Sequence, residues 1–235
     1  MRQLGLLSLS GLFLSFAVAG EITVQRVQGE VSVRQGVTEV WTQVSVGDVL
    51  RPDDTMKTGR KGGAVLLARG DDPGASPRKI MLPPEVIVDI SDLRQLSQEE
   101  LMLKLTMEKV RASSYQWKND ELHIPNAAVV HGAERSASKS PTENELQTGL
   151  LQFNGTRVLF DHGFYSTCVL KAMEIFRLYP PLGTMVKNRF LVAEALEKAD
   201  FKGEALAEYG AIAKMEDLTP ELQGTVRERM SRLRK

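Results

Sequence analysis

The chain has little of what would reveal a chemistry at once. One of its 235 residues is cysteine, Cys168, and aromatic residues make up 6%. A lone cysteine has no internal disulfide partner, so packed apolar cores must hold the fold together. Basic and acidic residues number 30 each, so the formal net charge is zero. That balance does not point to nucleic acid and does not favour a strongly anionic partner. Beyond the first nineteen residues no apolar run approaches the ~20 residues that span a bilayer. His123, His131 and His162 lie far apart and make no metal-ligand spacing with Cys168. The glycines of 59–63 precede an apolar strand pattern rather than a helix, which excludes a phosphate loop of the strand–helix kind.

These absences shape the reading of the remaining motifs. Asp161-His162 stands six residues before Cys168. The thiol sits where a helix hairpin takes a small residue, and there it reads as a small hydrophobe rather than a nucleophile. Asp53-Asp54 and Asp71-Asp72 lack the alternation of a calcium loop and read as solvated turns. Arg69-Gly70-Asp71 is a chance tripeptide. Asn154-Gly155-Thr156 has the form of a glycosylation sequon but lies inside a helical pattern. No catalytic residue, cofactor or metal site is expected, and the protein is not expected to be an enzyme.

What is present begins with an export signal. Arg2, the apolar stretch 4–16 and Ala17-Val18-Ala19 have the order of a secretory signal peptide over 1–19, the mature chain starting near Gly20. The alternative is an uncleaved anchor. With no cysteine at that boundary, lipid attachment is not expected. From 22 to 90 short apolar alternations, such as Val31 with Val33 and Val44 with Val46, are punctuated by glycines and read as strands. The segment closes on Val86, Val88 and Ile90. A helix is predicted over 93–112, with a restart near Ser97, because Ser97 and Glu100 have capping-box spacing. Residues 122–124 and 128–130 read as two further strands returning to the sheet. Residues 132–145 are small and polar and read as a linker, and 146–235 carry helical periodicity. The helix before Gly163 is the least secure, because Asn154-Gly155 interrupts it.

The helical part echoes itself. Gly163-Phe164-Tyr165, Cys168 and Ala172 recur 37 positions later as Asp200-Phe201-Lys202, Ala205 and Tyr209. The spacing, the small residues and Pro180 at the unit's end resemble degenerate tetratricopeptide repeats. The small residue of each first helix falls at Thr156 and Ala193. An unrelated bundle of four or five helices is the alternative.

The strand region carries a second resemblance. Gly29-Glu30-Val31, Trp41 ahead of Gly47-Asp48, Thr58-Gly59 before the apolar stretch 64–68, and the closing 86–90 together resemble the FecR domain, an extracytoplasmic β module of bacterial envelope proteins. Ile124-Pro125-Asn126 is a weaker echo. The family's Arg-Gly-Thr is replaced by His131-Gly132-Ala133, which withholds any contact that the arginine makes. The family's transmembrane helix and cytoplasmic anti-sigma segment have no counterpart in this sequence.

The expected architecture is α+β in two domains. An antiparallel β-sandwich-like module over 20–131 carries one inserted helix, and a tetratricopeptide-like helical array occupies 146–235. The resemblances imply a periplasmic or secreted bacterial protein that binds rather than reacts. It is expected to be an adaptor or scaffold holding an envelope component through its β region and an envelope protein through its helices. The alternative is a protein that binds cell-wall glycan or another polysaccharide through the β region. Trp41, Trp117, Tyr165 and Tyr209 are the candidate partner-binding residues. Trp41 has the competing reading of a β-core residue.

Overall fold

The computed structural model describes residues 21–69, 76–117 and 141–235, with 112–117 as backbone only. The expected signal, the strands at 122–124 and 128–130, Asp71-Asp72 and linker residues 132–140 lie outside the described residues. The described chain is mixed α+β, with two antiparallel four-stranded sheets and seven helices. Its strands are β1 Ile22–Gln28, β2 Val31–Gln35, β3 Trp41–Gln43, β4 Val49–Leu50, β5 Asp54–Thr58, β6 Gly63–Ala68, β7 Arg78–Leu82 and β8 Ile87–Asp89. Its helices are α1 Gln98–Trp117, α2 Glu143–Asp161, α3 Tyr165–Leu178, α4 Pro180–Gly183, α5 Val186–Lys198, α6 Lys202–Ile212 and α7 Pro220–Leu233.

The first sheet runs β4-β1-β6-β7 and the second β3-β2-β5-β8. Alternation decides which side chains go inward. Val24, Leu66 and Ile80 of the first sheet and Val31, Val33, Met56 and Val88 of the second are buried and belong to one core. Gly29, at φ +62°, turns the chain from β1 into β2, where a Cβ would collide with the backbone of Lys61 and Gly62. The strand expected around Val44 and Val46 is displaced. Pairing with β2 selects Trp41–Gln43 instead, and Val46 is 65% exposed while Val44 remains buried.

β7 and β8 follow one another in the chain, and each is the last strand of its sheet. Unpaired edges invite strand addition from other chains, and here α2 packs on β8 while β7 is touched at single points and stays largely exposed. His162, at the end of α2, accepts the amide N–H of Met81 through Nε2 at 3.0 Å. Asn154 Nδ2 donates to the Glu85 carbonyl at 2.9 Å, and Gly155 packs on the Ile87 backbone. Arg78 of β7 lies 4.8 Å from the centroid of the Phe164 ring.

The restart near Ser97 is where α1 begins, and the Ser97 hydroxyl accepts the Glu100 N–H at 3.1 Å. Residues 93–97 are outside the helix, which corrects the expected start. α1 packs its Leu101, Leu105 and Glu108 face inward, and Arg177 of α3 donates to Glu108 at 2.9 Å. Burial works against the Glu108 charge, but Arg177 and Arg111 hold its carboxyl below the usual range.

α2 starts earlier than the composition suggests. Thr142 and Glu145 form a reciprocal capping box, so residues assigned to the linker enter the helix. The helix then passes through Asn154-Gly155 without a break, the glycine serving close approach to β8 instead of a turn.

The 37-residue echo holds at the level of single hydrogen bonds. In the α2–α3 turn, His162, Gly163 and Phe164 donate to the carbonyls of Val158, Phe160 and Leu159. In the α5–α6 turn, Ala199, Asp200 and Phe201 donate to those of Ala195, Glu197 and Leu196. Gly163 and Asp200 occupy the same left-handed region, at φ +78° and +64°. Thr156 with Ala193, Cys168 with Ala205, and Ala172 with Tyr209 are each fully buried pairs. α7 is tied on by charge: Arg229 donates to Glu194 and Glu197 at 3.1 Å, and Arg232 pairs with Glu197. Arg227, Arg229, Arg232, Arg234 and Lys235 form a basic run at the end of the last helix, where the helix dipole alone favours cations; two of its members, Arg229 and Arg232, are ion-paired as well.

Candidate binding face of the second sheet

The second sheet has one face in the core and one face outward, and strand register decides what the outward face carries. Arg34 stands opposite Trp41 on one side and Thr55 on the other, and Thr55 stands opposite Asp89. One straight row, Trp41–Arg34–Thr55–Asp89, therefore crosses all four strands. The next outward row is Gln43–Ser32–Lys57–Ile87 by the same pairings.

The β3 end of these rows is open. Trp41 is 36% exposed, so the core reading of this residue is corrected: β3 is an edge strand and its indole lies on the outer face. The Arg34 guanidinium carbon and the Lys57 ammonium lie 5.4 Å and 5.8 Å from the centroid of its ring. Cations at such distances are attracted by the ring quadrupole, by about 0.5–1 kcal/mol at exposed sites. Arg34 also donates to the Thr55 hydroxyl at 3.4 Å, and its Nε finds no acceptor. Val37 and Val40 in the β2–β3 loop, Val46 in the β3–β4 loop and Val49 in β4 are further exposed apolar residues.

The β8 end is closed by α3. Thr55 donates to Asp89 Oδ1 at 2.7 Å, and Lys171 of α3 reaches Asp89 Oδ2 at 2.7 Å. Lys171 Nζ also lies 3.2 Å from Glu174 and 3.6 Å from Asp92. Burial opposes the Asp89 charge, but Lys171, Thr55 and the Arg34 charge hold its carboxyl below the usual range. Asp92 goes the other way. Burial first, then the charges of Asp89 and Glu174, push it up to about 6 against the pull of Lys171. Its Oδ2 has no hydrogen-bond partner, since 3.6 Å is too long for one.

The remaining candidate residues separate. Tyr209 is fully buried in α6, with its hydroxyl donating to Glu197 at 3.1 Å and its ring against Phe190. It is a core residue, which corrects its reading as a partner contact. Tyr165 is half-buried at the start of α3, edge-on to Phe160 at 5.3 Å. The side chain of Trp117, at the end of α1, lies outside those described, as does that of Tyr115. Cys168 is fully buried, and burial together with the nearby Asp161 charge pushes its thiol pKa far up, so it stays protonated. His162 is engaged on β7. Among the described residues no group of three histidine, cysteine, aspartate or glutamate side chains is arranged to hold a metal ion. Among them, too, no helix is long and apolar enough to cross a membrane.

Arg34, Lys57, Asp89 and Lys171 were not among the residues singled out from the sequence. The alternation of β2 did carry one signal, since burying Val31 and Val33 sends Arg34 outward. No protein-family model matches the chain, and no curated protein matches it.

Proposed function

We propose that this protein is a non-catalytic adaptor of a bacterial envelope, exported by its N-terminal signal and working in the periplasm or outside the cell. Its β region, which resembles the FecR domain, holds an envelope component. Its 37-residue helical units, which resemble tetratricopeptide repeats, present a surface to a protein partner. The observation that carries this reading is the matched pair of helix–turn–helix units, equivalent down to their turn hydrogen bonds. Stacked units of this kind build extended binding surfaces.

The test uses the intact chain, because removing the helices would bare β8. Photocrosslinking side chains are placed at Lys187 and Arg227, exposed positions of α5 and α7, and at Val37 beside β3. A discrete protein captured from the native envelope at the helical positions supports the adaptor. Capture at Val37 alone, with no protein at Lys187 or Arg227, overturns it.

The second reading is a polysaccharide-binding protein acting through the β region. It is favoured by one observation, the exposure of Trp41 on an outward sheet face.

A further inference from the structure

We infer that the outward face of the second sheet binds an acidic saccharide, with Trp41 as the stacking platform and Arg34 and Lys57 as the carboxylate contacts. The inference deepens the polysaccharide reading and rests on it.

Three observations meet at this place. First, register puts an indole and two cations side by side on one face. Trp41 and Arg34 are direct cross-strand neighbours, and Lys57 lies in the adjoining row. Second, neither cation is in an ion pair within 4 Å among the described residues. Arg34 has one long hydrogen bond to Thr55; its charge also acts on Asp89, and its Nε is buried, so its terminal nitrogens are what a ligand can meet. The carboxylate at the far end of the row, Asp89, is committed to Lys171 and Thr55. The chain is neutral overall, so the attraction is local to this face.

Third, the flanking groups suit sugar hydroxyls. Gln43 and Ser32 stand beside the cations in the second outward row and supply neutral donors and acceptors. A pyranose ring offers an apolar C–H face to the indole and hydroxyls to these neighbours. A uronate carboxyl then accepts from Arg34, whose planar fork suits it, and from Lys57. An acidic peptide would use the two cations but leave the indole platform without a ring to stack on it.

The experiment is calorimetric titration of the intact protein with oligogalacturonate, beside neutral dextran oligomers and polyglutamate. Oligogalacturonate is expected to bind, more weakly as salt rises, with neither comparison polymer matching it. Trp41→Ala is expected to abolish binding, and Arg34→Gln and Lys57→Gln each to weaken it about tenfold. Trp41→Phe keeps a ring and retains part of the affinity, and thermal melts identify any variant that has lost its fold. Undiminished binding by folded Trp41→Ala and by the folded Arg34→Gln/Lys57→Gln double variant overturns the site. Dextran binding as tight as uronate overturns the charge assignment and leaves the polysaccharide reading standing. Polyglutamate binding as tight as uronate overturns the saccharide, and no binding by any polymer overturns both the inference and that reading.

Discussion

Gly155, in the middle of α2, sits directly on the carbonyl oxygen of Ile87 in β8. A Cβ at Gly155 would fall far inside contact distance of that oxygen. The obstacle is backbone, and a rotamer change cannot relieve it. Gly155→Ala is therefore expected to lift α2 from the sheet and to cost about 2–3 kcal/mol. Gly224 in α7 has no atom within 4 Å of its Cβ position. There the same change is expected to stabilise by about 0.5–1 kcal/mol through helix propensity. Urea unfolding of both variants checks the pair, and equal effects would contradict the contact.

The two repeat turns make a second paired prediction. Asp200 holds φ +64° where its counterpart Gly163 holds +78°. A left-handed conformation costs a side chain roughly 1 kcal/mol that glycine does not incur. Asp200→Gly is expected to be neutral or stabilising by up to about 1 kcal/mol, and Gly163→Ala destabilising by a similar amount. Thermal and urea melts read both, and opposite signs are the expected outcome.

Asp92 gives the protein a pH dependence of defined sign. Its folded pKa is raised from the ordinary 3.8 to about 6, mainly by burial. The stability linked to its protonated form is whole below about pH 4 and is lost as pH rises through about 6. Asp92→Asn stays neutral throughout. Its advantage over the native chain is expected to grow from near zero at pH 4 to about 3 kcal/mol at pH 7.5, at 1.36 kcal/mol per pKa unit. Asp89 is held below its ordinary 3.8, so it stays ionised across the pH 4–7.5 window in which the two proteins are compared. A flat difference across pH 4–7.5 would remove Asp92 from this role.

Among the described residues Lys171 is the cation that ion-pairs with all three carboxylates at the β8–α3 junction. Lys171→Met is expected to cost about 3–5 kcal/mol at neutral pH, the range for breaking a buried pair and stranding its partner charges. The loss should shrink as acid neutralises the carboxylates. Urea unfolding at pH 7 and pH 4 tests both halves.

Much of the element content was legible because it follows from local periodicity. Val31 with Val33, Val86 with Val88, and the 37-position echo each depend only on neighbours in the chain. Gly155 misled because a glycine that admits another backbone has the same letter as one that breaks a helix, and β8 lies 66 positions earlier. The Thr142 to Glu145 capping box was written in the sequence but hidden by the polar composition around it. Trp41 is the clearest limit. An indole suits either face of a strand, and only the pairing of β3 at the sheet edge decides which it takes. The row Trp41–Arg34–Thr55–Asp89 draws on four separate segments, so no window of sequence contains it. Tyr209 erred the other way: the echo put it beside Ala172, a fully buried position, yet its hydroxyl invited a surface role.

The packing of α2 and α3 on β8 also has a consequence for the order in which the chain folds. β8 is complete by residue 89, but the residues that pack on and beside it, Asn154, Gly155 and Lys171, come much later in the chain. A chain that folded its sheets without them would carry a bare β8 edge competent to pair with its neighbours. A chain stalled or cleaved before those residues is thus expected to be sticky in a way that the finished protein is not. Whatever escorts the polypeptide before α2 and α3 arrive has that edge to guard.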